Sequence, residues 1–201
     1  MSNQAVAEEE VRAAAYRVFC RVGFRAASIN DVAVELGRTR PVVYKFATGK
    51  EELFRLVTKG VLTRTLAEAE AVARTGNAAE RATGVLTAKL DMAVRLHADS
   101  PHHAAAFLND SASLIGDLAA DFTDRIDGLV RQALERELDR ATARESASIL
   151  TALTRGLEDD LRAPEEARRL LAAAVETFLR GAARRAPRSS RSTPHSNKEK
   201  P

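Results

Sequence analysis

Five side chains within eleven positions have the chemistry to engage a polyanion: Arg40, Val42, Tyr44, Lys45 and Lys50. The Arg40 guanidinium matches guanine O6 and N7 as a bidentate donor, and Val42 suits a thymine methyl. Tyr44 and Lys45 can reach phosphate oxygens. Lys50, in the first turn of a following predicted helix, sets a cation beside free backbone amides, a second place for phosphate. The competing reading for Arg40, Lys45 and Lys50 is an ordinary solvated cationic face. For Tyr44 it is packing of a short helix, and Pro41 has a structural role first and a contact second.

Other chemistry has little support. The histidines are His97, His102, His103 and His195. Adjacent His102 and His103 do not share a helix face, and no His-Glu-x-x-His or equivalent spacing occurs. The single cysteine, Cys20, allows no internal disulfide and reads as a small buried hydrophobe. There is no Gly-rich phosphate loop and no Gly-x-Ser-x-Gly elbow. The pairs Asp159-Asp160 and Glu165-Glu166 fall near helix ends, where caps and dipoles use them. No catalytic residue, metal or cofactor is expected. Asp91, Met92, His102, Phe107, Asn109 and Phe122 are candidates to line a small-molecule pocket where three helices meet; loop packing and local caps are the alternative.

The elements that must position Arg40 and its neighbours follow from apolar spacing. Val11, Ala15, Val18, Phe19 and Val22 share one stripe of a helix from about Glu8 to Val22, with Glu8, Glu9 and Glu10 in its first turn and Gly23 as its stop. Ser28 and Asp31 mark an N-terminus, and Ile29, Val32, Ala33 and Leu36 continue it. Gly37 breaks that helix; Thr39 can cap the next, with Pro41 tolerated early in it. Thr48 and Glu51 form a capping box for a long helix towards Arg74. Beyond Gly76 come helical segments from Asn77 to about His97, from Pro101 to Asn109, from about Gly116 to Leu138, from a Thr142-Glu145 box to about Leu157, and from Pro164 onward. A capped helix, a tight turn and a second short helix form the helix-turn-helix arrangement, in which the second helix enters the major groove. With Val43 inward, Pro41 and Lys45 point away from the core.

The run from Val11 to Leu53 resembles the DNA-binding domain of TetR-family regulators. The resemblance lies in Ala14-Ala15, Phe19, Gly23-Phe24, Ser28-Ile29, Val32-Ala33, Leu36-Gly37, Pro41, Tyr44 and Lys50-Glu51-Glu52-Leu53, without gaps. It implies that Arg40, Pro41, Val42 and Tyr44 face an operator, that Ser28, Thr39 and Lys50 touch phosphates, and that Asn30 touches a base or a phosphate. Two positions depart from the pattern. Ala47 stands where a larger apolar residue, often Phe, is usual, and Phe46 stands where His or Tyr is common. The resemblance also implies a homodimer formed by the last two long helices, a palindromic operator in double-stranded DNA, and a small-molecule effector bound in the body. Leu150, Leu153, Leu171, Ala174 and Phe178 are the candidate interface, with intramolecular core as the alternative.

Composition agrees with an all-α fold of about nine helices. Ala and Leu dominate, aromatics are 4% and Trp is absent. Residues 1–50, the expected DNA-binding domain, carry 8 Lys/Arg against 5 Asp/Glu, whereas residues 51–180 carry 17 against 22. A basic head on an acidic body suits contact with a polyanion at one end. The body is expected over 51–186, and residues 187–201 read as a disordered basic tail. No membrane span or signal peptide is expected, which points to the cytoplasm. The expectation is a repressor released from its operator by a ligand. A nonspecific architectural DNA binder, or a helical ligand-binding protein without operator recognition, would share much of this composition.

Overall fold

The computed structural model describes residues 3–100, 112–158 and 161–185. They form eight helices and no strand: α1 (Asn3–Ala26), α2 (Ile29–Leu36), α3 (Arg40–Val43), α4 (Lys50–Val72), α5 (Ala78–Asp99), α6 (Ala112–Leu134), α7 (Arg140–Leu157) and α8 (Pro164–Arg185). The short piece expected from Pro101 to Asn109 and the tail from 187 lie outside the described residues.

Two apolar cores divide the molecule. The first joins Val11, Val18 and Phe19 of α1 to Val32, Val43, Leu53, Phe54 and Val57, and also takes Leu96 of α5 and Ile115 of α6. Its centre is aromatic: the Phe54 ring lies 5.3 Å from Phe19 and 4.7 Å from Phe24, centre to centre. The second core is built by Leu66, Leu86, Leu90, Phe122, Ile126, Leu134, Leu150 and Leu171 from the five later helices. α4 contributes to both, its first two turns to the head and its last two to the body. The head therefore does not end in packing terms at residue 50; its core continues to Val57.

Several helix starts differ from expectation by a register with a physical reason. α1 begins at Asn3, so Glu8, Glu9 and Glu10 lie past its first turn, and Val22, near the Gly23 break, is exposed. Gly23 itself takes φ 78°, open to glycine at no steric cost. At α4 the N-cap is Gly49, which makes Glu52 rather than Glu51 the third helical residue. The Glu52 carboxylate accordingly accepts from the Thr48 N–H and hydroxyl, each at 2.6 Å. At α7 Asp139 is the cap, accepting from the Ala141 and Thr142 amides, so Thr142 stands one turn inside the helix instead of opening it. Asn77 caps α5 as expected, in a reciprocal box with Glu80.

One ion pair sits inside the body. Lys89 of α5 donates to Glu158 at the end of α7, and both side chains are largely buried. Withdrawing two charges from water offsets most of their attraction, but leaving one alone costs far more. Lys89→Met is expected to destabilise the fold by about 3–5 kcal/mol, and the double variant Lys89→Met/Glu158→Leu to recover most of that loss. Urea unfolding of the three proteins measures it; equal stability of single and double variants would show that the pair is not buried in solution.

Candidate nucleic-acid interface

The geometry of the head is set from α2. Ser28, in an extended conformation, accepts from the Asp31 amide, and the Asp31 carboxylate accepts from the Ser28 N–H at 2.8 Å and hydroxyl at 2.7 Å. Those bonds hold the Asp31 carboxyl below the usual carboxylate range. Glu35, on the same helix, receives Arg17 at 2.7 Å and Arg21 at 2.9 Å from α1, which fixes the two helices in register. Gly37 then closes α2 in the left-handed region at φ 64°. Its N–H and that of Arg38 bond back to Val34 and Ala33, and the chain turns into α3.

α3 is one turn long. Thr39 occupies its cap position without a side-chain bond, and Pro41 sits in its first turn. Val43 is fully buried and Ala47 nearly so. Arg40, Pro41, Tyr44 and Lys45 are exposed and Val42 is half-buried. The segment is thus presented outward, on a single buried valine. Phe46 is partly buried against the head core beside the small Ala47, so its ring supplies volume that Ala47 lacks.

The side chains around α3 are not all free. Arg40 Nε donates to Asn30 Oδ1 at 2.9 Å, a bond from α2 that holds one edge of the guanidinium. Lys50 lies 4.8 Å over the Phe24 ring and donates to the Arg25 carbonyl at 3.0 Å, closing the end of α1. Neither pairing was legible in the sequence, because both span a turn of undefined geometry. Arg38, exposed in that turn, adds a cation the motif spacing did not single out.

Of the residues expected to line a body pocket, Asp91, Met92 and Phe122 fall within the described residues. Phe122 belongs to the body core. Asp91 lines a groove between α4, α5 and α8 and is held by Arg168 at 2.8 Å. Met92 opens instead onto a cavity of about 710 Å³ between α1, α4 and α5. The two therefore face different openings. His102, Phe107 and Asn109 lie outside the described residues. The expected interface is likewise corrected. Leu150 and Leu171 are fully buried within the chain, whereas Leu153 is 40% exposed and Ala174 and Phe178 are partly buried. Ile149 (42%) and Leu170 (50%), which the stripe count assigned to no face, are exposed beside them.

Head and body are joined by polar contacts as well as through α4; the buried Ser100 hydroxyl at the end of α5 donates to the Cys20 carbonyl of α1 at 3.1 Å. The Tyr16 hydroxyl of α1 donates to Asp99 of α5 at 2.6 Å, and burial, with that carboxylate beside it, pushes the Tyr16 phenol up. Arg55 of α4 makes a two-pronged pair with Asp117 of α6, both bonds 2.7 Å, and also donates to the Leu114 carbonyl. The guanidinium holds the Asp117 carboxyl down at about 2.

A basic, outward helix braced by a capped one, on an all-helical body, defines the class: a helix-turn-helix DNA-binding protein. Residues 11–57 match the model of the bacterial regulatory proteins of the tetR family. No curated protein sequence matches the chain. Solved structures share the fold at low identity. A transcriptional regulator from Rhodococcus sp. Rha1 has a TM-score of 0.71 and 22% identity over 88% of this chain and 97% of that one. A TetR-family regulator from Streptomyces coelicolor has 0.66 and 18%, over 88% and 90%. The superantigen pfit also has it, at 0.64 and 17%, over 88% and 91%. The body thus conveys fold and not activity.

The Ser28–Asp31 box yields a pH-dependent expectation. A carboxyl held low in the folded state contributes stability above its unfolded pKa of about 4 and loses it as pH falls through the folded value. Ser28→Ala is therefore expected to melt below the parent at pH 7, with the gap closing under acid conditions. Thermal melts at both pH values decide it; a gap independent of pH would show that the carboxylate bonds contribute nothing.

Proposed function

We propose that this chain is a sequence-specific transcriptional regulator, a repressor that acts as a homodimer on a palindromic operator and is released by a small molecule. The observation that carries it is the exposure of Arg40, Pro41, Tyr44 and Lys45 over a fully buried Val43. In this reading Arg40 reads a base, with Val42 on a thymine methyl, and both its terminal nitrogens lack a protein partner among the described residues. Asn30 orients Arg40 through its side-chain oxygen. Thr39, Tyr44 and Lys45 contact phosphates, and Lys50 does so with the protons its Arg25 bond leaves over; Ser28 gives both its N–H and its hydroxyl proton to Asp31 and has no donor left for one. The protein works in the cytoplasm, without catalysis or a cofactor; among the described residues no helix is long and apolar enough to cross a membrane.

Selection of bound sites from random duplexes tests this reading directly, with a two-fold symmetric site expected. Half-sites should be centred one duplex turn, about 34 Å, or a multiple apart. Equal retention of selected and random duplex at fixed salt would instead support nonspecific binding. Arg40→Ala should lose about 1–3 kcal/mol at one operator position and relax the base preference there, and Asn30→Ala should produce a weaker form of the same change. Uniform weakening on every sequence would reduce Arg40 to a phosphate contact.

The dimer is supported by an apolar face that the single chain leaves uncovered: Ile149 and Leu153 on α7, Leu170, Ala174 and Phe178 on α8. Each set follows a spacing of four, so each forms one stripe. Leu153→Glu combined with Leu170→Glu is expected to give a monomer in sedimentation equilibrium and to cut operator affinity at least a hundredfold. A double variant that remains dimeric would place the interface elsewhere.

A further inference from the structure

The turn between α2 and α3 is open to solvent. A Cβ placed on Gly37 would meet nothing within 4 Å, and Val34, one turn earlier, is 72% exposed. The backbone is nonetheless fixed there. The Gly37 N–H bonds to the Val34 carbonyl at 3.0 Å, and the Arg38 N–H to the Ala33 carbonyl at 2.9 Å. Arg38 thus leaves a held turn on an exposed side chain that makes no hydrogen bond or ion pair with another described residue. Arg40 and Lys50, by contrast, are engaged by Asn30 and by the Arg25 carbonyl.

Charge at this end of the head is not balanced within the chain. Residues 28–50 hold Arg38, Arg40, Lys45 and Lys50 against two acids, Asp31 and Glu35. Glu35 already faces two cations of α1, Arg17 at 2.7 Å and Arg21 at 2.9 Å. Asp31 keeps its charge while accepting from Ser28, but it stands in the first turn of α2 and Arg38 beyond the last. About 10 Å of helix rise separates them, roughly one Debye length at 0.1 M salt. A cation just past a helix C-terminus also meets the negative end of the dipole, which is the purely structural use of Arg38.

Distance decides what else Arg38 can reach. The major groove is about 12 Å wide, so a group on its midline stands about 6 Å from either wall. Arg38 precedes the helix that enters, and two residues of chain place its Cα within about 7 Å of that of Arg40. With Arg40 over the base edges, Arg38 stands at the wall, where phosphates are presented. We infer that Arg38 is a phosphate clamp of the operator interface: it anchors the turn to the backbone beside the groove and so sets the register in which Arg40 meets its base. This rests on the operator reading above and adds to it a cation from outside both helices of the motif.

Affinity of the full chain for a selected and for a random duplex, measured against salt, tests the clamp. Each neutralised phosphate contributes about 0.9 to the slope of log affinity on log salt. With one Arg38 on each of two heads, Arg38→Ala is expected to make the slope shallower by about 1.8 and to weaken binding at least tenfold, with base preference unchanged at every position. Arg38→Lys should restore the slope. Arg136→Ala, at an exposed position beyond the far end of α6, removes the same charge and should keep the parental slope. From Ile115 in the head core to Leu134 is about 28 Å of helix, nearly three Debye lengths at 0.1 M salt. The clamp is overturned if Arg38→Ala keeps the parental slope, or if Arg136→Ala flattens it as much. Relaxed preference at one position would overturn it too, making Arg38 a base reader. A lower melting temperature with the slope retained would leave only the dipole contact, so a melt accompanies each titration. Equal retention of both duplexes by the parent sinks the operator reading alone, because the slope on random duplex still reports Arg38; retention of neither sinks both.

Discussion

A helix of one turn does not hold itself in water, since nucleation fixes several residues for a single hydrogen bond. α3 spans Arg40–Val43, so its conformation must be imposed from outside. The burial of Val43, with Ala47 one turn later, is what imposes it. The capped α2, the left-handed Gly37 and Pro41 in the first turn narrow the paths by which the chain can reach that anchor. Everything polar on this segment is outward because that one valine is inward. Asn30 then fixes the Arg40 guanidinium from the neighbouring helix, and a long side chain already held in place gives up less entropy on meeting a base.

The same economy governs the joint between head and body. α4 is continuous from Lys50 to Val72 and enters both cores, so a rotation of the body is transmitted to Phe54, and through Phe54 to Phe19 and Phe24. The polar contacts to either side differ in kind. Arg55 to Asp117 is a pair on exposed side chains, which water and salt weaken. Tyr16 to Asp99 lies at the edge of a cavity and is a neutral donor on a carboxylate. With the buried bond from Ser100 to the Cys20 carbonyl, and with Leu96 of α5 and Ile115 of α6 packed in the head core, the joint combines buried contacts with polar ones at its edge.

What the sequence made legible and what it did not follow from one distinction. Local chemistry was readable. The Ser28–Asp31 box, the Gly37 stop, the Asn77 cap and Pro164 at the start of the last helix depend on residues within one turn of each other. Where two residues could both cap, register decided, and Gly49 and Asp139 took places assigned to Thr48 and Thr142. Periodicity found the stripes of α7 and α8, but it cannot say which edge of a wide stripe meets its own chain. Leu150 and Leu171 went inside, and Ile149 and Leu170 remained uncovered. The cavity wall of α1, α4 and α5 joins residues as far apart as Glu8 and Asp99, and the expected pocket placed Asp91 and Met92 together only because they are adjacent in sequence.

Charge then limits how such a molecule can work. The head carries a small positive excess and the body between residues 51 and 180 a negative one. A duplex meets attraction at one end and repulsion along the rest, which orients approach. Few cations also mean few counterions released, and each neutralised phosphate contributes only about one power of the salt concentration. One head with a one-turn helix has too little surface for tight binding. Two heads held at fixed spacing raise the effective concentration of the second contact without adding any new one. In the proposed dimer the uncovered apolar face of α7 and α8 and the brevity of α3 are complementary features: a reading element this short gains from a large, separate interface that sets the distance between two copies of it.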